Sequence, residues 1–253
     1  MTERAPGMQS VGRAFRVLEL LADAGGVATL TSLADESALP LSSIHRVMGT
    51  LVELGYVRRA PGRRYALAPR LIRLGEASAA GIGVWARPLL RRLADELDES
   101  ANVAMLDGAE IVYVDQASSR RSIRMFTEPG RRVPPHCTAV GKAMMARMPE
   151  PEVRAILERT GMPSSTAATI TDPDRFVAEL EQVRRRGYAL DDGEQEEGIR
   201  CVATAVPLDA PRLAISFSGP TGRISDDLLR RAVPLLHDAC AALACELDPA
   251  PAT

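Results

Sequence analysis

Two kinds of chemistry can be read from side-chain types and spacing in this sequence. In "LPLSSIHRVMGTLVELGYVRRAPGRRYAL", Leu39 to Leu67, four arginines (Arg58, Arg59, Arg63 and Arg64) bracket Pro61-Gly62. Guanidinium groups gathered so closely suit a polyanion, because each can pair with a phosphate through two N–H groups. Just upstream, Ser42, Ser43, His45 and Arg46 lie off the apolar stripe of the same stretch. Their hydroxyls can bond to phosphate or base, and Arg46 can reach guanine O6 and N7 or clamp a phosphate. The second chemistry is capture of a small anion. In "GRRVPPHCTAVGKAMMA" the two prolines end an extended approach and a helix begins near Thr138, which offers the N–H groups of Ala139, Val140 and Gly141. In "LDDGEQEEGIRC" an acidic turn precedes a strand carrying Cys201, and in "AISFSGP" alternation puts Ser216 and Ser218 on one face. Each feature taken alone also has a plain reading, as a solvated face or a small buried hydrophobe.

The elements that carry the arginines form a compact set. Ala14, Val17, Leu18 and Leu21 recur at i, i+3, i+4 and i+7, which predicts a helix ending at Gly25-Gly26. A second, short helix is expected from an N-cap at Thr31, burying Leu33 and Ala34, and is broken by Ser37 to Pro40. The third places Ile44, Val47, Met48, Leu51 and Val52 on one face and stops at Gly55. Two helices joined by a tight turn are a helix-turn-helix, whose second helix enters the major groove with its N-terminal residues foremost. Tyr56-Val57 and Tyr65 to Leu67 read as strands turning at Pro61-Gly62, a wing whose arginines can straddle a phosphate backbone or enter the minor groove.

The remainder alternates helical and strand patterns. Leu74 to Val84 reads as a helical linker, followed by an amphipathic helix. Asn102–Leu106 and Ile111–Val114 form a hairpin through Asp107-Gly108. Helices are expected over Ala139–Met148, Glu152–Thr160 and Asp174–Arg186, with strands at Tyr188–Leu190, Ile199–Val206 and Leu213–Phe217. A last helix runs from Ser225 to Leu247, kinked at Pro234. The expected class is α+β, with a mixed sheet as the alternative. The expected domains are 8–70 for DNA binding, 71–84 as a linker helix, and 85–248 as a second domain whose anion-capturing stretches could line a site.

Composition narrows the function. The chain has 46% apolar and 25% charged residues, ordinary for a globular protein. Residues 1–70 hold nine arginines against six acidic residues, whereas the rest of the chain is net acidic, so a polyanion would be met by the head alone. "MTERAPGMQS" has no apolar signal core, and no run approaches the roughly 20 apolar residues of a membrane span. Cys137, Cys201, Cys240 and Cys245 form no CxxC pair and suit a reducing compartment, so a cytoplasmic protein is expected. An enzyme needs a nucleophile and a base in contact. His136 and Cys137 are neighbours whose side chains diverge, and Cys201 has no evident histidine partner. Neither catalysis, nor a cofactor, nor a metal is expected.

Four motifs in order, "LPLSSIHRVMGTLVELGYV", "VPPHCTAVGKAMMA", "GYALDDGEQEEGIRCVATAV" and "ISFSGP", resemble the IclR family of bacterial transcriptional regulators, over about Ser10 to Leu247. The resemblance implies an N-terminal winged helix-turn-helix, a linker helix and, over 85–248, a C-terminal GAF-like domain for effector binding and oligomerisation. It further implies dimers or dimers of dimers on pseudo-palindromic double-stranded operators. The family's effector positions correspond to Ala139, Val140, Asp191, Cys201, Ser216 and Ser218, with Met125 as an apolar wall. The "RMF…HCTAVGKA" stretch is similar to that of family repressors of allantoin and glyoxylate metabolism. The expectation is a repressor controlled by a small carboxylic acid. Activators of aromatic-acid or glycerol operons are the alternative.

Overall fold

A computed structural model describes residues 6–79, 81–118, 127–210 and 212–248. Its contacts divide the chain between Ser78 and Ala79, inside the stretch expected as the linker. The N-terminal unit comprises α1 (Pro6–Asp23), β1 (Val27–Thr29), α2 (Leu30–Ser37), α3 (Leu41–Glu53), β2 (Val57–Ala60), β3 (Arg64–Leu67) and α4 (Arg70–Ala79). Val17 and Leu21 of α1, Leu33 of α2, and Ile44, Met48 and Leu51 of α3 form its core, closed by Val57. α2 begins earlier than the Thr31 cap implied. Thr29 is extended, and its hydroxyl accepts the Ser32 N–H at 3.1 Å, so Thr29 is the cap. Ala38 sits at φ 54°, a left-handed turn that costs a non-glycine residue about 1–2 kcal/mol and swings the chain into α3.

Strand β1 was not legible in the sequence, because three residues are too few to show alternation. It pairs antiparallel with β3, giving the order β1-β3-β2. The wing strands are also longer than expected: β2 includes Arg58 and Arg59, and β3 opens at Arg64.

The C-terminal unit continues with α5 (Gly83–Leu97), β4 (Ser100–Asp107), β5 (Glu110–Ala117), β6 (Arg132–Val133), α6 (Ala139–Met145), α7 (Glu150–Thr160) and α8 (Pro173–Arg186). It ends with β7 (Ala189–Asp192), β8 (Ile199–Ala205), β9 (Leu213–Pro220) and α9 (Asp226–Leu247). Among the described residues these strands form one six-stranded sheet ordered β6-β5-β4-β9-β8-β7. Every neighbouring pair is antiparallel, which settles the class as α+β rather than mixed. Alternation gives the sheet two apolar faces. Ala104, Ile111, Tyr113, Ala203 and Ala214 pack against α6, α7 and α8. Val103, Val202, Ile215 and Phe217 pack against Leu90, Leu93 and Leu97 of α5 and Leu236 and Leu243 of α9.

α6 is shorter than its apolar run, ending at Met145 rather than Met148, and all seven of its residues are buried. Its close seat depends on Gly141. A Cβ there would collide with the carbonyl oxygen of Pro135 and lie 2.6 Å from that residue's Cα. Backbone cannot move aside as a flexible side chain can. Gly141→Ala should therefore destabilise the C-terminal unit by about 1–3 kcal/mol, the usual cost of overpacking, read as a lower urea midpoint. An unchanged midpoint would show that α6 does not rest on Pro135.

Candidate functional site

The basic face of the N-terminal unit is built from α3 and the β2–β3 wing. Ser42, His45 and Arg46 are exposed at the start of α3 and Ser43 is half-buried, while Ile44 and Met48 anchor the opposite side in the core. Thr50 lies one turn beyond Arg46 and returns its hydroxyl to the Arg46 carbonyl at 3.2 Å. At the far end of α3, Gly55 takes φ 76° and Arg70 donates from Nη1 to the Leu54 carbonyl at 2.7 Å. The Arg70 guanidinium also lies over the Tyr56 ring, 5.1 Å from its centre. A cation capping a helix C-terminus complements the helix dipole, and here it ties α3 to the root of the wing. The sequence reading missed this role of Arg70.

Arg58, Arg59, Arg63 and Arg64 are all exposed. Successive strand residues face opposite ways, so Arg58 and Arg59 reach to either side of the ribbon. Arg64 is partly committed to its own turn, donating from Nε to the Pro61 carbonyl at 3.1 Å. Arg63 follows Gly62 at the tip and holds φ 56°, a left-handed conformation that glycine or asparagine would adopt more cheaply. The strained position thus carries an exposed cation.

In the C-terminal unit the strand register gathers polar residues on the α6 side of the sheet. Asp191 pairs with Cys201, Cys201 with Ser218, and Ser218 with Ser100. One step along, Ser216 lies between Ala203 and Asn102. A cavity of about 280 Å³ opens beside Asp191 and Cys201, and its walls include Thr127, Arg131, Cys137, Ser165 and Glu196. Ser216 and Ser218 stand outside its lining. They adjoin it through Asn102, whose Nδ2 lies 3.5 and 3.4 Å from their hydroxyls. Gln116 donates from Nε2 to the Asn102 Oδ1 at 3.0 Å and also to the hydroxyl of Thr127, which does line the cavity. Ala139 and Val140 are buried and are not among the lining residues. The row of open N–H groups expected at this helix start is interrupted, because Gly141 donates to the Thr138 hydroxyl at 3.1 Å. Met125 lies outside the described residues.

Burial sets the electrostatics of the cavity. Asp191 is 1% exposed, and its carboxyl is pushed up to about 7 by loss of water, against the pull of two backbone donors. Those donors are Glu194 N at 2.7 Å and Gln195 N at 3.3 Å, both meeting Oδ1, so Asp191 closes the acidic turn that follows it. Lys142 is buried on α6, donates to the Leu190 carbonyl at 3.0 Å and pairs with Glu194. Thr166 and Thr169 add hydroxyl bonds of 2.6 Å each to the carbonyls of Gly193 and Glu194. Nothing in the local pattern signals this support, since a lysine in "AVGKAMMA" looks like an ordinary solvent-facing helix residue. The thiols are held protonated: burial raises Cys137 to about 11 and Cys201 well above its ordinary value. His136 turns away from Cys137, its Nε2 lying 3.1 Å from the Pro163 carbonyl, and burial lowers its basicity. No thiolate–imidazole pair forms between them.

The comparisons with known proteins agree with this division of labour. Residues 10–61 match the IclR helix-turn-helix domain, and residues 76–245 match the bacterial transcriptional regulator IclR C-terminal family. The transcriptional repressor IclR of Escherichia coli is 34% identical over 227 residues, covering 87% of this chain and 83% of that protein. A crystal structure of an IclR regulator from Alicyclobacillus acidocaldarius superimposes with a TM-score of 0.84 at 29% identity, covering 97% of this chain and 100% of that one. An IclR homologue from Microbacterium hydrocarbonoxydans complexed with 4-hydroxybenzoate shares the fold, with a TM-score of 0.80 at 24% identity over 94% and 98% of the two chains. With both of its units matched in order, the chain belongs to the IclR family of DNA-binding transcriptional regulators, non-enzymatic proteins that carry a C-terminal effector-binding domain.

Proposed function

We propose that this regulator is a cytoplasmic repressor that releases its operator when the cavity beside Asp191 takes up a small carboxylic acid. The observation that carries the reading is the pairing of an exposed basic face in one unit with a polar cavity in the other. On DNA, Ser42, Ser43, His45 and Arg46 of α3 meet base edges and phosphates in the major groove. Arg58, Arg59, Arg63 and Arg64 hold the backbone beside it. The expected form is a homodimer or dimer of dimers on a pseudo-palindromic operator. Large apolar side chains left exposed on helices of the N-terminal unit, Val11 and Phe15 of α1 and Ile72 and Leu74 of α4, suit burial against a second copy.

For the effector, Arg131 with the hydroxyls of Thr127 and Ser165 gives the cavity donors suited to a carboxylate. Asp191 and Glu196 give it acceptors suited to N–H or O–H groups of the same ligand. A ureido or hydroxy acid of the allantoate or glyoxylate type has that polarity. The homologue that holds 4-hydroxybenzoate supports the carboxylate class and keeps an aromatic hydroxy acid as the second candidate.

Arg46→Ala should flatten base preference in a selection from random duplexes, with each lost base contact reducing discrimination by about 1–3 kcal/mol. Arg63→Gly should leave stability within about 1 kcal/mol, because glycine relieves the left-handed strain as it adds chain entropy. The same change should weaken all duplexes alike and lower the salt slope by about 0.9. Unchanged binding in both variants would remove the α3 and wing assignments.

A thermal-shift panel of small carboxylic acids should find a stabiliser whose affinity drops about ten- to a hundred-fold in Asp191→Ala. The pH dependence orients the ligand. Folded Asp191 titrates near 7, against 3.8 as the ordinary value, so the unliganded protein loses the stability of its extra bound proton as pH rises from about 4 through 7. An effector that offers donors to Asp191 prefers the ionised form. Its affinity should rise as pH climbs through about 7, and Asp191→Asn should abolish that slope. Affinity that falls over the same interval would put the ligand carboxylate against Asp191 and reverse the proposed orientation.

A further inference from the structure

Strand β5 contains an irregularity that changes which way its side chains face. Val103 of β4 pairs with Asp115 and Ala104 pairs with Tyr113, which leaves Val114 as an extra residue. Tyr113 belongs to the core on the α6 side of the sheet. Simple alternation from Tyr113 would put Asp115 on that side as well and send Gln116 to the opposite one. The bulge reverses both. Asp115 faces α5, where Arg87 holds both carboxylate oxygens, Nε to Oδ2 at 2.9 Å and Nη2 to Oδ1 at 3.1 Å. Gln116 faces the cavity side, bonded to Asn102 and Thr127. Asp115 Oδ1 also accepts the backbone N–H of Gln116 at 2.9 Å. One dipeptide therefore carries an ion pair on one face of the sheet and the polar network of the cavity on the other.

The pair is unequally buried: the Asp115 side chain is 6% exposed, the Arg87 side chain 59%. A buried carboxylate that loses its guanidinium is left as an uncompensated charge, which costs far more than the loss of a surface ion pair. Asp115 therefore ties α5, through Arg87, to the backbone at Gln116. α5 is the first element of the C-terminal unit, so the chain that arrives from the DNA-binding unit enters through it.

We propose that Arg87 and Asp115 are positioning residues for regulation, linking the polar network of the cavity through the Asp115–Gln116 peptide to α5. The proposal rests on reading the cavity as the effector site. Its test needs no effector. Trp85, the only tryptophan in the sequence, lies on α5 two residues before Arg87 and is 46% exposed, so its emission reports on that helix. In the full-length chain, Gln116→Ala should shift Trp85 emission. It should also change affinity for a duplex selected by the wild-type chain from a random pool by about 2- to 30-fold. In an Arg87→Met background, which keeps the aliphatic stem, Gln116→Ala should change neither readout. Asp115→Asn keeps shape and an acceptor for Gln116 N–H, and should uncouple the two readouts in the same way. Arg87→Lys should restore part of the response. A purely structural brace predicts additive effects of Gln116→Ala and Arg87→Met. Additivity, or a Gln116→Ala change that is silent in the wild-type background, would overturn the proposal. Because nothing is added to the cavity, that failure is distinct from failure of the cavity to bind carboxylates.

Discussion

A carboxyl group held out of water, with one oxygen committed to the turn that follows it, organises the cavity side of the C-terminal unit. Asp191 fixes the Glu194 and Gln195 N–H groups, and this brings Glu194 inward to meet Lys142. Neither Lys142 nor Glu194 could be buried alone, because an unpaired charge in the interior would neutralise or drag water in with it. The Thr166 and Thr169 hydroxyls then secure the carbonyls of the same turn from a separate segment. Several independent bonds thus determine one short loop and hold its polar atoms in place. Preorganisation of that kind reduces the ordering cost of binding a small molecule.

The N-terminal unit handles charge in the opposite way. Its core is apolar and its arginines are solvated, so little folding energy is tied to them. Among the described residues no carboxylate holds Arg58, Arg59, Arg63 or Arg64, so their charges face solvent. The exception to free display is local: Arg64 leans on the Pro61 carbonyl and Arg70 on the end of α3. Arg70 serves architecture, whereas Arg63 occupies a left-handed position that architecture alone would give to glycine.

Local signals were legible in the sequence, and long-range ones were not. Helical spacing located α1, α3, α8 and α9, and Gly55 and Gly108 marked a helix end and a hairpin because each needs a positive φ. Thr29 was passed over for Thr31, since either threonine satisfies the capping pattern and β1, which decides between them, is too short to announce itself. Asp191, Cys201, Ser216 and Ser218 were identified through family motifs, and the register of β7, β8 and β9 explains their spacing. Asn102, Gln116 and Lys142 were missed for a common physical reason. Each is polar at a position where patterning expects either an apolar residue or a solvated one, and the partners that join it to the network lie 11 to 116 residues away. The bulge at Val114 was invisible for the same reason: a single extra residue leaves the composition of a strand unchanged while reversing every face beyond it.

That reversal bears on how a sheet covered on both faces can carry information from one cover to the other. Adjacent strand residues face opposite ways, so the shortest route across is a single peptide. In β8 and β9 the neighbours across such a step, Cys201 with Val202 or Ser216 with Phe217, join a polar side to an apolar one. Apolar packing is non-directional, so it does not fix the orientation of either neighbour. At Asp115 and Gln116 both neighbours are polar and both are hydrogen-bonded, so a displacement on one face meets fixed geometry on the other. Directional bonds on both sides of a peptide hold two arrangements apart where apolar contacts would blur them, and a regulatory protein needs that separation between its covers.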